Sequence, residues 1–228
     1  KNMSEDIMNL CMWNNYFRGK DGNGVWVWGR EIENDTNPLY CQPEAVYALA
    51  KSALDVNRVA EYVEPFSHIK GEYAVFYGGS DLENFYIGAD FNDINFDFLT
   101  NTQAEKGKID YKLIFIMDDA TVSEKAMANI KSSGAKIIKV KSYKNYKDYY
   151  RQVKAETENC KKLVDINKWG IECRSYEKDG KIYYYLMNYT KKPVKITLPK
   201  ESRDMLTGKT YKKIEVQPAG VYLFECQK

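Results

Sequence analysis

Residues 24–31, Gly-Val-Trp-Val-Trp-Gly-Arg-Glu, constrain the fold of this chain more than any other stretch. Their apolar side chains predict a short buried strand that ends in two tryptophans, a glycine and a charged pair. Helical patterns precede this strand over residues 4–18 and follow it over residues 43–63. Helix, strand and helix in this order form one unit of a parallel α/β architecture, which places its chemistry at the carboxyl end of the strand.

This unit has no partner strand before it in the sequence. A single parallel strand does not form a stable sheet, because parallel strands occur in sheets that are buried on both faces. We therefore expect residue 1 not to be a natural start and the chain to be the C-terminal portion of a larger protein.

The composition excludes several function classes. The 34 basic and 32 acidic residues give a net charge of +2, which offers no electrostatic case for nucleic-acid binding. No apolar run approaches the roughly 20 residues that a membrane helix needs. The five cysteines lack metal-ligand spacing, and the single histidine, His68, cannot supply a zinc site of the histidine-rich kind. A bridge between Cys173 and Cys226 and a pair of buried thiols both remain open.

A second pattern begins after residues 65–72, which read as a domain boundary. Strands are predicted over residues 73–77, 95–99, 111–117 and 135–140, with an amphipathic helix over 122–133 and further helix over 143–162. Strands that alternate with helices indicate a small parallel α/β domain of flavodoxin-like type.

From about residue 168 the apolar period changes to two. Asp179-Gly180 is a hairpin turn signal between two alternating segments, and three further short strands follow before the chain ends. This pattern predicts a compact antiparallel β domain without helices.

The order of these parts resembles a known family. The run MNLCMWNNYFRGKDGNGVWVWGRE resembles the last helix-to-strand unit of the (β/α)₈ barrel in clan A glycoside hydrolases, most closely glycoside hydrolase family 42, the β-galactosidase-like enzymes. The segment YKLIFIMDDATVSEKAMANIKSSGAKII is similar to the central part of their flavodoxin-like trimerisation domain. The segments YYYLMNYTKKPVKITLP, DMLTG and QPAGVYLF are similar to their terminal β domain.

The resemblance implies three domains: the end of the barrel over residues 1–66, the flavodoxin-like domain over 70–165, and a small antiparallel β-sandwich over 166–228. It implies retaining hydrolysis of O-glycosyl bonds without a cofactor. It also implies that both catalytic carboxylates precede residue 1, so that this chain supplies one wall of the active site and no catalytic residue.

Four residues of the predicted strand end are candidates for contact with the sugar. Trp26 and Trp28 are two residues apart and share one face of the strand. Trp28, nearer the carboxyl end, suits packing against a pyranose face, whereas Trp26 also fits a core position. Arg30 and Glu31 either bond sugar hydroxyls or pair with each other.

The sequence departs from family 42 beside these candidates. Family members usually carry an arginine directly after the last-strand tryptophan, followed by a glutamate and a histidine that bind the sugar. Here Gly29 follows Trp28, and no histidine occurs between Glu31 and His68. A related clan A family with the same domain order fits equally well, so the sugar is left open.

Other motifs have ordinary interpretations that we favour. Residues 78–81, Gly-Gly-Ser-Asp, follow a strand but lack the spacing of a phosphate-binding loop. Asp118-Asp119 also follows a strand and reads as a loop rather than a metal site. Tyr183-Tyr184-Tyr185 suits either sheet packing or a binding platform.

Two functions from different classes therefore remain. The first is the C-terminal part of a glycoside hydrolase, whose partners are a carbohydrate substrate, the N-terminal barrel portion and a second copy bound through the α/β domain. The alternative is a non-catalytic carbohydrate-binding or oligomerisation module. A nucleotide- or flavin-binding protein is disfavoured because the phosphate motifs are missing.

Overall fold

The computed structural model describes residues 4–20, 43–143 and 145–228. The chain divides into two compact units, one formed by the two segments Lys1–His68 and Ser175–Lys228 and the other by Ile69–Arg174. We call them the split unit and the inserted unit. Within the described ranges, no helix is long and apolar enough to span a membrane.

Two helices open the split unit. Helix α1, Glu5–Phe17, begins where the Ser4 side chain accepts a hydrogen bond from the Ile7 N–H, and helix α2 spans Pro43–Val63. A short 3₁₀ helix, Glu64–His68, follows directly. The two α-helices pack through small and flexible apolar side chains: Met8, Met12, Ala45 and Ala48.

The split unit also holds most of a five-stranded antiparallel sheet. Its strands are β5 (Ile171–Lys178), β6 (Lys181–Asn188), β7 (Val194–Asp204), β8 (Thr210–Val216) and β9 (Val221–Gln227), in the spatial order β5-β6-β9-β7-β8. Strand β5 crosses the boundary between the units. Asp179 and Gly180 join β5 to β6 with φ angles of 52° and 74°, as a tight hairpin turn requires, so the predicted hairpin is confirmed.

The inserted unit is built on a four-stranded parallel sheet. Its strands are β1 (Tyr73–Phe76), β2 (Phe96–Leu99), β3 (Leu113–Met117) and β4 (Lys136–Val140), in the order β2-β1-β3-β4. Strands β1 and β3 are fully buried, as the central strands of a parallel sheet must be. The predicted parallel and antiparallel sheets are both confirmed.

Helices cover both faces of the parallel sheet. Helices α3 (Leu82–Ala89) and α6 (Tyr146–Thr157) pack on one face, where Phe85 and Tyr149 join the core. Helices α4 (Asn101–Glu105) and α5 (Glu124–Ser132) pack on the other, where Ala126 and Ile130 are fully buried. The sequence analysis predicted α5 and α6 but not α3 or α4.

Candidate functional site

The four predicted sugar contacts, Trp26, Trp28, Arg30 and Glu31, lie within residues 21–42, outside the described residues. Their role therefore stays a prediction. The structure does describe the helices that precede and follow this segment along the chain, and it shows what holds each of them.

The carboxyl end of α1, just before this segment, is held by aromatic side chains. The Phe17 ring stacks on Tyr185 with 3.9 Å between ring centroids, and Phe66 meets Phe17 edge-on at 5.3 Å. Trp13 packs beside Phe17 at 5.4 Å and is 2% exposed. Aromatic pairs of this kind contribute beyond their buried area, so this end of α1 is firmly attached to strand β6.

Helix α2, which follows the segment, is attached by polar contacts. The Ser52 hydroxyl donates to Asn9 Oδ1 at 3.1 Å, and Asn9 Nδ2 donates to the Ala219 carbonyl at 3.1 Å. The Arg58 guanidinium donates to the Leu206 carbonyl at 3.0 Å and pairs with Asp55 at 2.8 Å. Both helices that flank residues 21–42 are thus bonded to the antiparallel sheet or its loops.

The three consecutive tyrosines of β6 are packing residues. Tyr183, Tyr184 and Tyr185 are 6%, 0% and 0% exposed. Tyr184 donates to the Ser202 hydroxyl at 2.7 Å, and the Tyr183 ring stacks between Tyr62 and Tyr176. Their burial favours the sheet-packing alternative over a binding platform.

The parallel sheet has its topological switch point between β1 and β3, where open α/β sheets usually bind ligands. Here that point is closed. The Ser80 N–H donates to Asp119 Oδ2 at 2.9 Å, and the Ser80 hydroxyl donates to the same oxygen. These bonds hold the pKa of Asp119 below its ordinary value.

Glycine 79 explains how closely the two loops approach. Gly79 has φ = +96°, and a Cβ at this position would lie 2.6 Å from Met117 Cβ and 2.6 Å from Asp119 Oδ1. A carboxylate of the same unit therefore stands where a phosphate-binding loop would receive a phosphate, which supports the turn interpretation of residues 78–81. Among the described residues, no group of His, Cys, Asp and Glu side chains suits a metal ion.

An open cleft lies beside this closed point, over the end of the sheet at β1 and β2. Its volume is about 460 Å³, and its lining comprises Tyr77, Gly78, Gly79, Leu82, Glu83, Tyr86 and Phe98. Tyr77 and Phe98 are 62% and 41% exposed, although most aromatic rings of the inserted unit are buried. The sequence analysis did not identify this cleft, because Tyr77 and Phe98 belong to patterns that read simply as strands.

A buried carboxylate, Asp93, lies elsewhere in the inserted unit. Its Oδ2 accepts the Ile166 N–H at 2.7 Å and the Asn167 N–H, whereas its Oδ1 has no hydrogen-bond partner among the described residues. Burial raises the pKa of Asp93 to about 7, although the two N–H groups and the Lys162 ammonium act in the opposite direction. The polar run Asp90-Phe-Asn-Asp-Ile-Asn95 was the only sequence signal for this group.

The described cysteines are free, and two of them are buried. Cys173 and Cys226 are 1% and 7% exposed, and neither forms a disulfide. Burial raises the pKa of the Cys173 thiol, which keeps it protonated and unreactive. The buried-thiol alternative therefore holds.

Residues 170–225 match the family model described as the beta-galactosidase C-terminal domain. No curated protein sequence matches the chain. The matched segment covers strands β5 to β9 almost completely, so the resemblance of this segment to family 42 glycoside hydrolases is confirmed.

Solved structures share the fold across nearly the whole chain. An exo-carrageenase of family 42 from Bacteroides ovatus superposes with a TM-score of 0.75 at 16% identity, over 99% of this chain and 39% of its own. A family 42 beta-galactosidase from G. stearothermophilus gives 0.72 at 11% identity, over 99% and 51%. The beta-galactosidase from Bacillus circulans sp. alkalophilus gives 0.69 at 11% identity, over 97% and 52%. The chain thus has the fold of a part of these enzymes and spans 39–52% of their length.

Proposed function

We propose that this chain is the C-terminal part of a retaining, β-galactosidase-like glycoside hydrolase. In this proposal α1 and α2 flank the last strand of a (β/α)₈ barrel, the inserted unit is the flavodoxin-like trimerisation domain, and the antiparallel sheet belongs to a terminal β-sandwich. One observation carries the proposal: residues 170–225 match the terminal domain of such enzymes. The similarity in fold to solved enzymes of family 42 supports it.

Exposed apolar side chains on α1 and α2 support the barrel assignment. Ile7 on α1 is 52% exposed, and Tyr47 and Leu54 on α2 are 58% and 71% exposed. Tyr47 and Leu54 are seven residues apart, so they lie on one face of α2. Barrel helices bury such faces against neighbouring helices and strands, which earlier parts of the parent protein would supply.

The proposed role of this chain in the reaction is to bind and orient the sugar. Trp28 would pack against a pyranose face, Arg30 and Glu31 would bond its hydroxyls, and Trp26 would support Trp28 from the same strand face. Retaining hydrolysis needs two carboxylates about 5 Å apart, one as nucleophile and one as acid/base. Both would lie before residue 1, on strand ends of the remaining barrel.

The partners follow from the same proposal. They are a carbohydrate substrate, the N-terminal barrel portion, and a second copy of the chain bound through the inserted unit. The sugar itself is left open, because Gly29 stands where family 42 enzymes usually carry an arginine.

The alternative is a non-catalytic carbohydrate-binding or oligomerisation module. The exposed faces of α1 and α2 favour the hydrolase, since a free-standing module would have no reason to keep large apolar side chains on both helices uncovered. The upstream sequence separates the two: a hydrolase needs further alternating strands and helices with glutamates at two strand ends.

Substitution of Trp28 in the parent protein tests the proposal. Trp28→Ala should lower kcat/KM by about 1–3 kcal/mol, the size of a lost ring contact with the sugar, and leave the melting temperature nearly unchanged. Trp26→Ala should instead reduce stability by about 3–5 kcal/mol, as a large-to-small core change does. Trp13→Ala serves as the matched control, because Trp13 is buried on α1 and should affect stability alone.

A different outcome would contradict the assignment of Trp28 to the sugar site. If Trp28→Ala leaves kcat/KM unchanged and lowers the melting temperature as Trp13→Ala does, Trp28 is a core residue. The sugar site assigned to this segment would then be wrong.

A further inference from the structure

The open cleft of the inserted unit is walled by three aromatic rings that hold one another in place. Tyr86 on α3 stacks on Phe98 of β2 with 5.6 Å between ring centroids, and Tyr77 meets Phe98 edge-on at 5.8 Å. The Tyr77 N–H donates to the Leu99 carbonyl at 2.8 Å, which fixes its backbone to β2. The rings are therefore positioned before any ligand arrives.

The exposure of these rings distinguishes them from core residues. Phe96, two residues before Phe98 on the same face of β2, is only 8% exposed, whereas Phe98 is 41% and Tyr77 is 62% exposed. An exposed aromatic ring forgoes the stabilisation that burial gives a core ring, so two such rings in contact at a concave site indicate a binding surface.

The remaining lining combines one apolar side chain, Leu82, with one acidic side chain and exposed backbone. Glu83, in the first turn of α3, is exposed at the rim, and Gly78 and Gly79 present backbone without side chains. Among the described residues, no lysine or arginine lines the cleft, and Asp119 accepts the Ser80 N–H beside it. A phosphate, sulfate or carboxylate would therefore meet the Glu83 carboxylate and no compensating cationic side chain among these lining residues.

We propose that this cleft binds a neutral saccharide, with one face of a pyranose ring stacked on Tyr77, the edge of that ring against Phe98, and a hydroxyl bonded to Glu83. A pyranose offers an apolar C–H face to an aromatic ring and hydroxyl donors to a carboxylate, which matches this lining group by group. The cleft volume of about 460 Å³ lies in the lower range of small-molecule sites and suits one or two sugar rings.

This proposal does not depend on the proposed active-site wall. The cleft lies wholly within Ile69–Arg174, whereas Trp26, Trp28, Arg30 and Glu31 precede that unit in the sequence. Sugar binding is measured on this chain, and hydrolysis is measured on the parent protein. Either proposal can thus fail without the other.

Titration of the ¹⁵N-labelled 228-residue chain with lactose and with β-1,4-galactotriose tests the proposal. We expect saturable amide shifts at Gly78, Gly79 and Glu83, with a dissociation constant on the order of millimolar. A sulfated galacto-oligosaccharide should bind several-fold more weakly, because its charge faces Glu83. Glu83→Gln should weaken binding of the neutral sugar and reduce this discrimination.

Matched aromatic variants distinguish sugar binding in the cleft from non-specific binding to exposed aromatic side chains. Tyr77→Ala should weaken sugar binding about tenfold, since one stacking partner is lost. Tyr146→Ala is the control, because Tyr146 lies on α6 of the same unit and is 44% exposed outside the cleft. The control should leave sugar affinity unchanged.

Three results would overturn the proposal. The first is the absence of saturable shifts at the cleft up to the solubility limit of both sugars. The second is equal weakening by Tyr77→Ala and Tyr146→Ala. The third is a sedimentation result in which Tyr77→Ala abolishes self-association while sugar affinity is unaltered, which would make the cleft a contact between copies.

Discussion

Asp93 should make the inserted unit lose stability as the pH rises toward neutrality. In the folded chain its pKa is raised from 3.8 to about 7, with burial as the largest cause. Between these values the folded protein holds a proton that the unfolded chain has released. The contribution of Asp93 to the free energy of unfolding is therefore greatest in acid. It declines as the pH rises from 3.8 to about 7 and is constant above that.

The loss of stability can be estimated from the pH range over which Asp93 titrates differently in the folded and unfolded chains. One pKa unit corresponds to about 1.4 kcal/mol, so the roughly two units between pH 5 and pH 7 cost the wild-type chain about 3 kcal/mol. The neighbouring charges are already included in this balance: Lys162 opposes the shift, and Asp165 adds to it.

Asp93→Asn should remove this dependence. An asparagine carbonyl can accept the Ile166 and Asn167 N–H groups as Asp93 does, and its amide carries no charge to bury. The stability of the variant relative to wild type should therefore increase by about 3 kcal/mol when the pH is raised from 5 to 8. Asp110→Asn is the control, since the Asp110 side chain is 84% exposed and pairs with Lys70 at 3.2 Å. It should change stability by less than about 1 kcal/mol at both pH values.

Urea unfolding followed by fluorine NMR of 5-fluorotryptophan measures the effect within the inserted unit. The Trp169 ring packs on Phe91 at 5.1 Å and on Tyr150 at 5.5 Å between ring centroids. Phe91 is two residues from Asp93 in the sequence, and Trp169 is two residues from Asn167, so the Trp169 resonance reports on this region. If wild type is as stable at pH 8 as at pH 5, or if Asp93→Asn gains nothing on alkalinisation, the buried carboxylate is compensated and the reasoning fails.

Three further predictions address the split unit, catalysis and the closed switch point. A fragment of residues 1–64 should not fold alone, because Phe17 and Tyr62 pack against Tyr185 and Tyr183 of β6; a cooperative thermal transition of the monomeric fragment would contradict this. The 228-residue chain should hydrolyse no aryl glycoside, since the proposal places both carboxylates outside it; inhibitor-sensitive turnover above a buffer blank would show otherwise. Gly79→Ala should destabilise the inserted unit by about 2–4 kcal/mol, because the new Cβ would collide with Met117. Gly134→Ala is the control: Gly134 has φ = +81° but open space around it, so the substitution should destabilise by only about 1–2 kcal/mol. Equal melting temperatures of the two variants would refute the packing argument.

The regular elements could be predicted where local patterns and tertiary burial agree. The strand over residues 111–117 and the hairpin at Asp179-Gly180 carry strong local signals, and both are present in the structure. Helix α3 was missed because Leu82–Ala89 is short, aromatic-rich and contains Gly88, whose lack of a side chain serves a close approach to Tyr146 and Tyr149 of α6. This close contact between two helices depends on tertiary structure and cannot be inferred from the local sequence.

The candidate sites were less accessible to sequence reasoning. The aromatic cleft combines residues from the loop after β1, from α3 and from β2, which are brought together only by the parallel pairing of the strands. The buried state of Asp93 depends on residues 166–167, more than seventy positions away. Asp93 also has φ = 55°, which is uncommon for residues other than glycine, although aspartate adopts it more often than most.

The division of the split unit between two chain segments has a consequence for how the protein is made. Phe17 is translated before its stacking partner Tyr185, which follows 168 residues later (185 minus 17). At bacterial or eukaryotic elongation rates this interval is on the order of ten seconds. The inserted unit, whose residues are contiguous, can fold during that time. Trp13, Phe17 and Phe66 cannot yet pack against the antiparallel sheet, because its strands have not been synthesised. Nascent chains halted before residue 176 should therefore expose this aromatic cluster to chaperones, and synthesis of the strands that carry Tyr176 and Tyr185 should bury it.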